Sequence, residues 1–262
     1  MIKRSPRRLR AREVLSVFLL AGMAALNVAY ADISVPAGGN IALGGGSTDL
    51  GCSDITVAGT LLLQNGSLNN VRSFTIAAGG SVVAGSGVIT LSGNWNNAGS
   101  FNAGTGTVNF VDAPNCSTGS TISGSTTFAT FGLVSTSGKL YRFAPGSTQS
   151  ILTLLTASGT AALPLRLESA GDLQTAFINL TGQQLMNDLA VNDLRAIGVP
   201  LAPALRNRNP TGVAIGWFGL TEASYVVPAA SGFTLGVICL CLLLFGIGAL
   251  RRTARFPSNR KD

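Results

Sequence analysis

Cysteines and carboxylates are what this 262-residue chain has for chemistry, because it contains no histidine. That absence removes the commonest general base and metal ligand, and with it most familiar hydrolytic and zinc chemistry. The four cysteines fall into two pairs. Cys239 and Cys241 lie inside a long apolar run, where a thiol behaves as a small hydrophobe. Cys52 and Cys116 lie in the polar middle, both beside loop-forming residues: Gly51-Cys52-Ser53 and Pro114-Asn115-Cys116-Ser117. Among the carboxylates, Asp49 with Asp54 and Asp188 with Asp193 are close pairs. Acid–base or glycan-cleaving work needs carboxylates converging on one face, with a basic group or a metal to manage charge. Neither pair has such a motif around it. Asp188 and Asp193, five residues apart, would point to opposite faces of a strand. Asp49 and Asp54 suit calcium by chemistry, but no EF-hand or Gly-Gly-x-Gly-x-Asp repeat accompanies them. The acids read as exposed charges that keep a low-charge domain soluble. The expectation is a non-enzyme with no catalytic residue, no cofactor and no metal.

Charge is segregated along the chain. The formal net charge is +7, yet only 11% of residues are charged. Six cations lie in the first twelve residues and five in the last twelve. The stretch 32–219 holds seven cations against eight acids, a net of −1. The basicity belongs to the ends, and the middle has no electrostatic footprint for nucleic acid.

Both ends read as addresses. The N-terminus runs from a cationic stretch through an apolar run, Val14 to Val28, to Ala29-Tyr30-Ala31. This is the n-region, h-region and small-x-small cleavage site of a signal peptide read by the secretion machinery. The expected mature chain therefore begins at Asp32, after cleavage directed by Ala29 and Ala31. An uncleaved anchor is the competing reading. At the other end, 233–250 is eighteen residues whose only polar side chain is Thr234, long enough to cross a bilayer as one helix. Arg251, Arg252 and Arg255 follow directly and place the extreme C-terminus in the cytoplasm.

The segment ahead of that span carries a resemblance. Val227-Pro228-Ala229-Ala230-Ser231, then the apolar helix, then Arg251-Arg252, resembles the C-terminal sorting tails of Gram-negative bacteria known as the PEP-CTERM and IPTL-CTERM types. Val227, Pro228 and Ser231 match those tails in phase. The Glu and second Pro of one type are missing, as is the Leu before Ser of the other. The resemblance implies export, transient anchoring in the inner membrane and cleavage near the motif by an exosortase-like membrane protease. A permanent single-pass anchor is the alternative.

The middle reads as β structure. Short runs such as Ile55-Thr56-Val57, Phe74-Thr75-Ile76, Val88-Ile89-Thr90-Leu91 and Thr107-Val108-Asn109-Phe110 recur between Gly, Asn and Ser, the signature of strands bounded by turns. Gly59, Gly79 and Gly99 are spaced by twenty within related phrases. A period near twenty indicates a solenoid, each coil burying its apolar face only against its neighbours. Glycine is expected at corners where φ is positive. Helical spacing is suggested only around Leu185 to Ile197, and 187–210, with Pro200, Pro203 and Pro210, reads as an irregular cap or loop.

The stretches 91–110, 122–128 and 143–149 resemble repeats of large bacterial surface and adhesin-like proteins. The closing phrase, Asn209-Pro210-Thr211-Gly212 through Gly216-Trp217-Phe218, resembles the end of such domains. The resemblance implies a right-handed parallel β-helix; an antiparallel β-sandwich is the competing architecture. On a solenoid, Cys52 and Cys116 would lie three coils apart, about 14 Å at the spacing of neighbouring strands, whereas a disulfide needs Cα atoms within about 7 Å. The bond therefore requires one cysteine on a folded-back loop, and the pairing stays open at this point.

The resulting division is a signal peptide at 1–31, a β-helical exported domain at 32–219, a linker with the sorting motif at 220–232, a transmembrane helix at 233–250 and a basic cytoplasmic tail at 251–262. The expected function is that of a non-catalytic surface or extracellular-matrix protein. Two others remain open: an adhesin that binds neighbouring cells or extracellular polysaccharide, with Trp95 and Tyr141 as aromatic platforms if they are not core residues, and a β-helix enzyme acting on polysaccharide.

Overall fold

A computed structural model of the chain describes residues 32–171, 174–203 and 208–220. Within them the backbone winds into a parallel β-solenoid of about eight coils. Coil 1 holds β1 (Ile33–Val35), β2 (Asn40–Ala42) and β3 (Ser47–Asp49). Coil 2 holds β4 (Ile55–Val57), β5 (Thr60–Leu62) and β6 (Ser67–Val71). Coil 3 holds β7 (Phe74–Ile76), β8 (Ser81–Val83) and β9 (Val88–Leu91), and coil 4 holds β10 (Trp95–Asn97), β11 (Ser100–Asn102) and β12 (Thr107–Phe110). The three strands of each coil lie on three sheets: A, B and C in chain order.

After coil 4 the cross-section changes. Coil 5 is β13 (Gly119–Ser123) and β14 (Thr126–Val134); coil 6 is β15 (Leu140–Phe143) and β16 (Thr148–Ser158). Sheet B ends at β11, and the long strands β14 and β16 pair with each other from Thr126 to Val134, with a register break between Phe128 and Thr130. A bulge of that kind bends a strand, so one bent strand does the work of two short ones. Coil 7 is β17 (Leu165–Ser169), β18 (Ala176–Leu180) and β19 (Gln183–Asn187), with β18 and β19 taking the first and second halves of β16 as partners. Coil 8 is β20 (Leu189–Asn192) and β21 (Leu194–Gly198), and β22 (Arg208–Thr211) adds the last strand of sheet A.

Every strand pairing is parallel; the single antiparallel contact among the described residues is an isolated bridge between Ala113 and Ser117. This excludes the antiparallel sandwich. It also corrects two expectations near the C-terminal end. The stretch from Leu185 to Ile197 is not helical: it is the end of β19, then β20 and most of β21, broken by corners at Asp188 and Asp193, whose φ values are 54° and 49°. A corner every five residues interrupts any helix and happens to place apolar residues at helical intervals. Nor is 187–210 an irregular cap throughout, since β20, β21 and most of β22 fall within it. Pro200 and Pro203 follow β21, while Pro210 sits in an edge strand, where a missing N–H is tolerated.

The alternation within each short strand determines the core. Ile33, Ile55, Phe74, Trp95 and Ile122 stack in one inward column of sheet A. Leu68, Ile89, Val108 and Phe131 stack in sheet C. Aromatic rings concentrate where three sides become two. Trp95 lies 5.1 Å from Phe74 and from Phe101 and 5.4 Å from Phe128, and Phe128 stacks on Phe131 at 4.4 Å. The far end is closed by buried Leu201, Ala202, Ala214, Trp217 and Phe218, with a bridge from Leu201 to Trp217.

The repeated glycines act mainly through space and less through φ. Gly79 has a positive φ of 82°, but Gly59 and Gly99 do not. A Cβ at Gly59 would strike the carbonyl of Gly39 in the coil below, and one at Gly99 would strike that of Gly80. The column in space is thus Gly39, Gly59, Gly80, Gly99, one residue out of phase with the phrase at Gly79. It exists because neighbouring backbones approach too closely there for any side chain.

Candidate functional site

The corner where sheet C turns back into sheet A carries the bonded carboxylates Asp49, Asp54 and Asp112. In coils 1 and 2, Arg72 donates two hydrogen bonds to Asp54, Nε to Oδ1 at 2.8 Å and Nη2 to Oδ2 at 2.6 Å, and lies 3.7 Å from Asp32. Two parallel N–H···O bonds of this kind are the strong form of the pair. They hold the Asp54 carboxyl below its ordinary value against the opposing effect of burial. Asp49 accepts from the Asn70 amide at 2.8 Å and from the Gly51 N–H at 2.9 Å, which lowers it too. The two acids therefore work separately, each locking its own part of the corner. Asp188 and Asp193 occupy corners at the far end, where Asp193 accepts from the Val213 N–H at 2.9 Å.

The same corner in coil 4 is an eight-residue loop, 111–118, and it supplies Cys116. Cys52 is in the equivalent corner of coil 1. The two are joined by a disulfide with Cα atoms 5.5 Å apart. Three coils of spacing are bridged because the loop runs back along the corner. The chain from Val111 to Cys116 runs part of the way, Ala113 O, accepting from the N–H groups of Cys116 and Ser117 at 2.8 Å each, closes the turn at its tip, and the disulfide covers the remaining 5.5 Å between Cα atoms. The folded-back loop that stacking arithmetic demands is what the structure contains.

Beneath that loop lies Lys139, with only 4% of its surface exposed. Its Nζ donates to Ser92 O and, at 3.0 Å, to Val111 O, and it sits 5.2 Å from the centre of the Tyr141 ring. The insertion at 111–118 leaves only two residue pairs between β10 and β13. The ammonium group, together with the Ser120 hydroxyl on Ser92 O at 3.2 Å, thus gives these carbonyls side-chain donors where the ladder is interrupted. Asp112 is half-buried and accepts from Ser135 Oγ and the N–H groups of Thr136 and Ser137 at 2.8–3.2 Å. Burial works against its charge, but those bonds prevail and leave the carboxyl below its ordinary value. Burial pushes Lys139 down to about 8, with the charge of Asp112 opposing, and pushes the Tyr141 phenol upward, with Asp112 adding to the effect. The arrangement is an electrostatic brace: a cation joined to two carbonyls, an anion joined to the loop that follows β14, and a covalent staple above.

Trp95 and Tyr141 are fully buried. Trp95 donates from Nε1 to Thr126 Oγ1 at 3.1 Å, and Tyr141 lies 5.7 Å from Phe110. Neither is a platform for a sugar ring. Ala29, Ala31, Val227, Pro228, Ser231, Arg251 and Arg252, with the apolar span between them, lie outside the described residues. No group of three or more Cys, Asp or Glu able to hold a metal occurs among the described residues.

Lys139 and Asp112 are absent from the candidates that spacing suggests. A signal for the lysine does exist. It is the only lysine between residues 32 and 219, and in Lys139-Leu140-Tyr141-Arg142-Phe143 the period of two puts it on the inward side with Tyr141 and Phe143. Nothing in the spacing marks Asp112.

Fold and corner together define a parallel β-solenoid braced and stapled along one edge. No protein-family model, no curated protein and no solved structure matches the chain.

Proposed function

We propose that this chain is a non-catalytic exported protein of the cell surface or extracellular matrix, a right-handed β-helix delivered through a C-terminal membrane tail that an exosortase-like protease removes. The observation that supports export is the bond between Cys52 and Cys116, because a structural disulfide persists in oxidising compartments and is rare in the cytosol. The leader ending at Ala29-Tyr30-Ala31 and the tail from Val227 through Arg252 supply the route. The bond adds a covalent tie to a loop that Lys139 and the Asp112 bonds already hold at the corner, a cross-link suited to life outside the cell.

Intact mass and fractionation of the protein from its native host test this reading. A species that begins at Asp32, ends near Val227 and lies outside the cell is the expected result. A chain extending from Asp32 to Asp262 in the inner membrane would sink the sorting step and leave a tethered periplasmic domain.

Adhesion to polysaccharide is the second reading, favoured by one feature of sheet A. Ser34, Thr56, Thr75, Asn96 and Ser123 stand in register along its outer face, one hydrogen-bonding group per coil. Retention of the secreted protein on the host's purified extracellular polysaccharide, reduced at least threefold by Thr75→Val with Asn96→Leu, is the expected outcome. Equal retention of the double variant removes this reading.

A further inference from the structure

The two ends of the solenoid are finished differently. At the far end, Trp217, Phe218 and Leu201 plug the interior, and the Gln184 amide reaches over to donate to Pro200 O and accept from the Ala202 N–H at 2.9 and 2.7 Å. At the near end, among the described residues, β1, β2 and β3 each have one hydrogen-bonded neighbour, the matching strand of coil 2. Within coil 1, Ile33 N–H, Val35 O, Gly39 O, Leu43 N–H, Gly46 O and Leu50 N–H all bond to coil 2. Peptide groups alternate in direction along a strand. Those of Ser34, Asn40, Ala42, Ser47 and Asp49 therefore face the open end.

Such an edge is a template for another strand unless it is guarded by charge, proline or a bulge. Strands β1 and β2 contain none of these, and β3 has only Asp49, at its end. The apolar layer of coil 1 is exposed with the edge: Ile41 is 39% exposed, and Ile33 and Leu43 are only partly buried.

We propose that this edge is a docking surface for a second copy of the same chain, the two first coils meeting edge to edge about a two-fold axis. The inference rests on the export reading in one respect: removal of residues 1–31 leaves Asp32 alone ahead of β1, so no leader remains to lie along the edge. A two-fold contact uses the same patch on both partners and closes on itself. It pairs the strands antiparallel, which the hydrogen-bonding of the edge allows. At the far end the last strands are guarded, β21 by the bond of Ala196 N–H to Ile215 O and β22 by Pro210, so assembly stops at two rather than growing into a fibre.

The test is the native mass of the protein secreted by its host, by light scattering on a sizing column, with intact mass measured on the same fraction. A chain beginning at Asp32 and running at twice its mass is expected. Ile41→Lys places a charge in the edge, and Asn40→Pro deletes an outward N–H that coil 2 does not use; each should give a monomer with an unchanged circular dichroism spectrum. A monomeric wild type beginning at Asp32 overturns the pairing and leaves export standing. A chain still carrying residues 1–31 overturns both. A dimer that survives both folded variants, or a complex containing a different polypeptide, overturns the docking edge.

Discussion

The first four coils turn three corners each, whereas the next two coils turn two, and the two halves are held together by different means. In the first half the corners are so tight that backbones touch. Gly59, Gly80 and Gly99 sit where a Cβ would meet a carbonyl one coil below. In the second half β14 and β16 are nine and eleven residues long, the corner softens to a bend, and larger loops such as that from Thr160 to Leu163 appear, closed by its own hydrogen bonds at 3.0–3.1 Å. Apolar side chains are correspondingly less well covered, as at Leu152 and Leu185, 51% and 62% exposed. A solenoid can thus keep its parallel ladder while its cross-section changes, provided that something fills the transition. Here the filling is aromatic, and the outer edge of the transition is fastened by a disulfide and a buried lysine.

If that account is right, the largest loss on truncation falls at the transition. Trp95→Ala removes a ring packed on Phe74, Phe101 and Phe128 and one of the two donors to Thr126 Oγ1, leaving that of Asn97. It should cost about 3–5 kcal/mol in urea unfolding of the secreted domain. Leu189→Ala, equally buried in coil 8, should cost about 2–3 kcal/mol. A loss at Leu189 equal to or larger than that at Trp95 would place the tightest packing elsewhere.

The staple comes next. It closes a 64-residue separation, and Cys52→Ser should lower stability by about 2–4 kcal/mol, chiefly by freeing the unfolded chain. Its local signature sharpens the comparison of halves. Hydrogen exchange should quicken at Ser92, Asn94 and residues 111–118 and leave β18 and β21 unchanged. Uniform quickening across both halves would mean that the staple acts on global stability alone.

Legibility follows the same division. In the first half, Ile33, Ile55, Phe74 and Trp95 recur at intervals of 22, 19 and 21 residues, close enough to constant for the period to be read from glycine phrases. From Trp95 to Ile122 the interval is 27, because the stapled loop is inserted there, and the repeat disappears from view although the ladder continues. The extra residues, from Val111 to Thr118, mix small apolar and polar side chains without a period, so nothing in them marks a coil boundary. The inward position of Lys139 is legible but its role is not, because its partners are main-chain carbonyls of Ser92 and Val111, groups with no sequence identity, exposed by an insertion elsewhere. The disulfide was bounded by spacing arithmetic, which stated the required condition but could not say which loop folds back.

Glycine substitutions give a smaller test, separating close approach from φ. Gly99→Ala sets a Cβ against the carbonyls of Gly80 and Ala77, an overpacking that should cost about 1–3 kcal/mol. Gly79→Ala meets nothing within 4 Å but must hold φ near 82°, and should cost about 1 kcal/mol. The reverse order, in the same thermal-unfolding series, would return the glycine period to corner conformation.

The last test distinguishes the braced corner from every regular coil, because among the described residues only that corner holds a lysine and a tyrosine, which titrate in alkali. Lys139 is held at about 8 in the folded chain by burial, against 10.5 ordinarily. Between those values the unfolded chain binds a proton that the folded chain does not, so stability rises as pH climbs from about 8. Tyr141 acts in the opposite sense higher up. Its folded-state pKa is raised, first by burial and then by Asp112, so above 10.0 the unfolded chain releases a proton that the folded chain retains, and stability falls. The urea midpoint should therefore increase between pH 7.5 and about 9.5 and decline beyond 10. Lys139→Met should abolish the rise while preserving the decline, and Tyr141→Phe should do the converse. A wild-type midpoint that stays flat from pH 7.5 to 9.5 would mean that the Ser92 and Val111 carbonyls compensate the amine for its burial, making the brace as neutral toward pH as the glycine columns beside it.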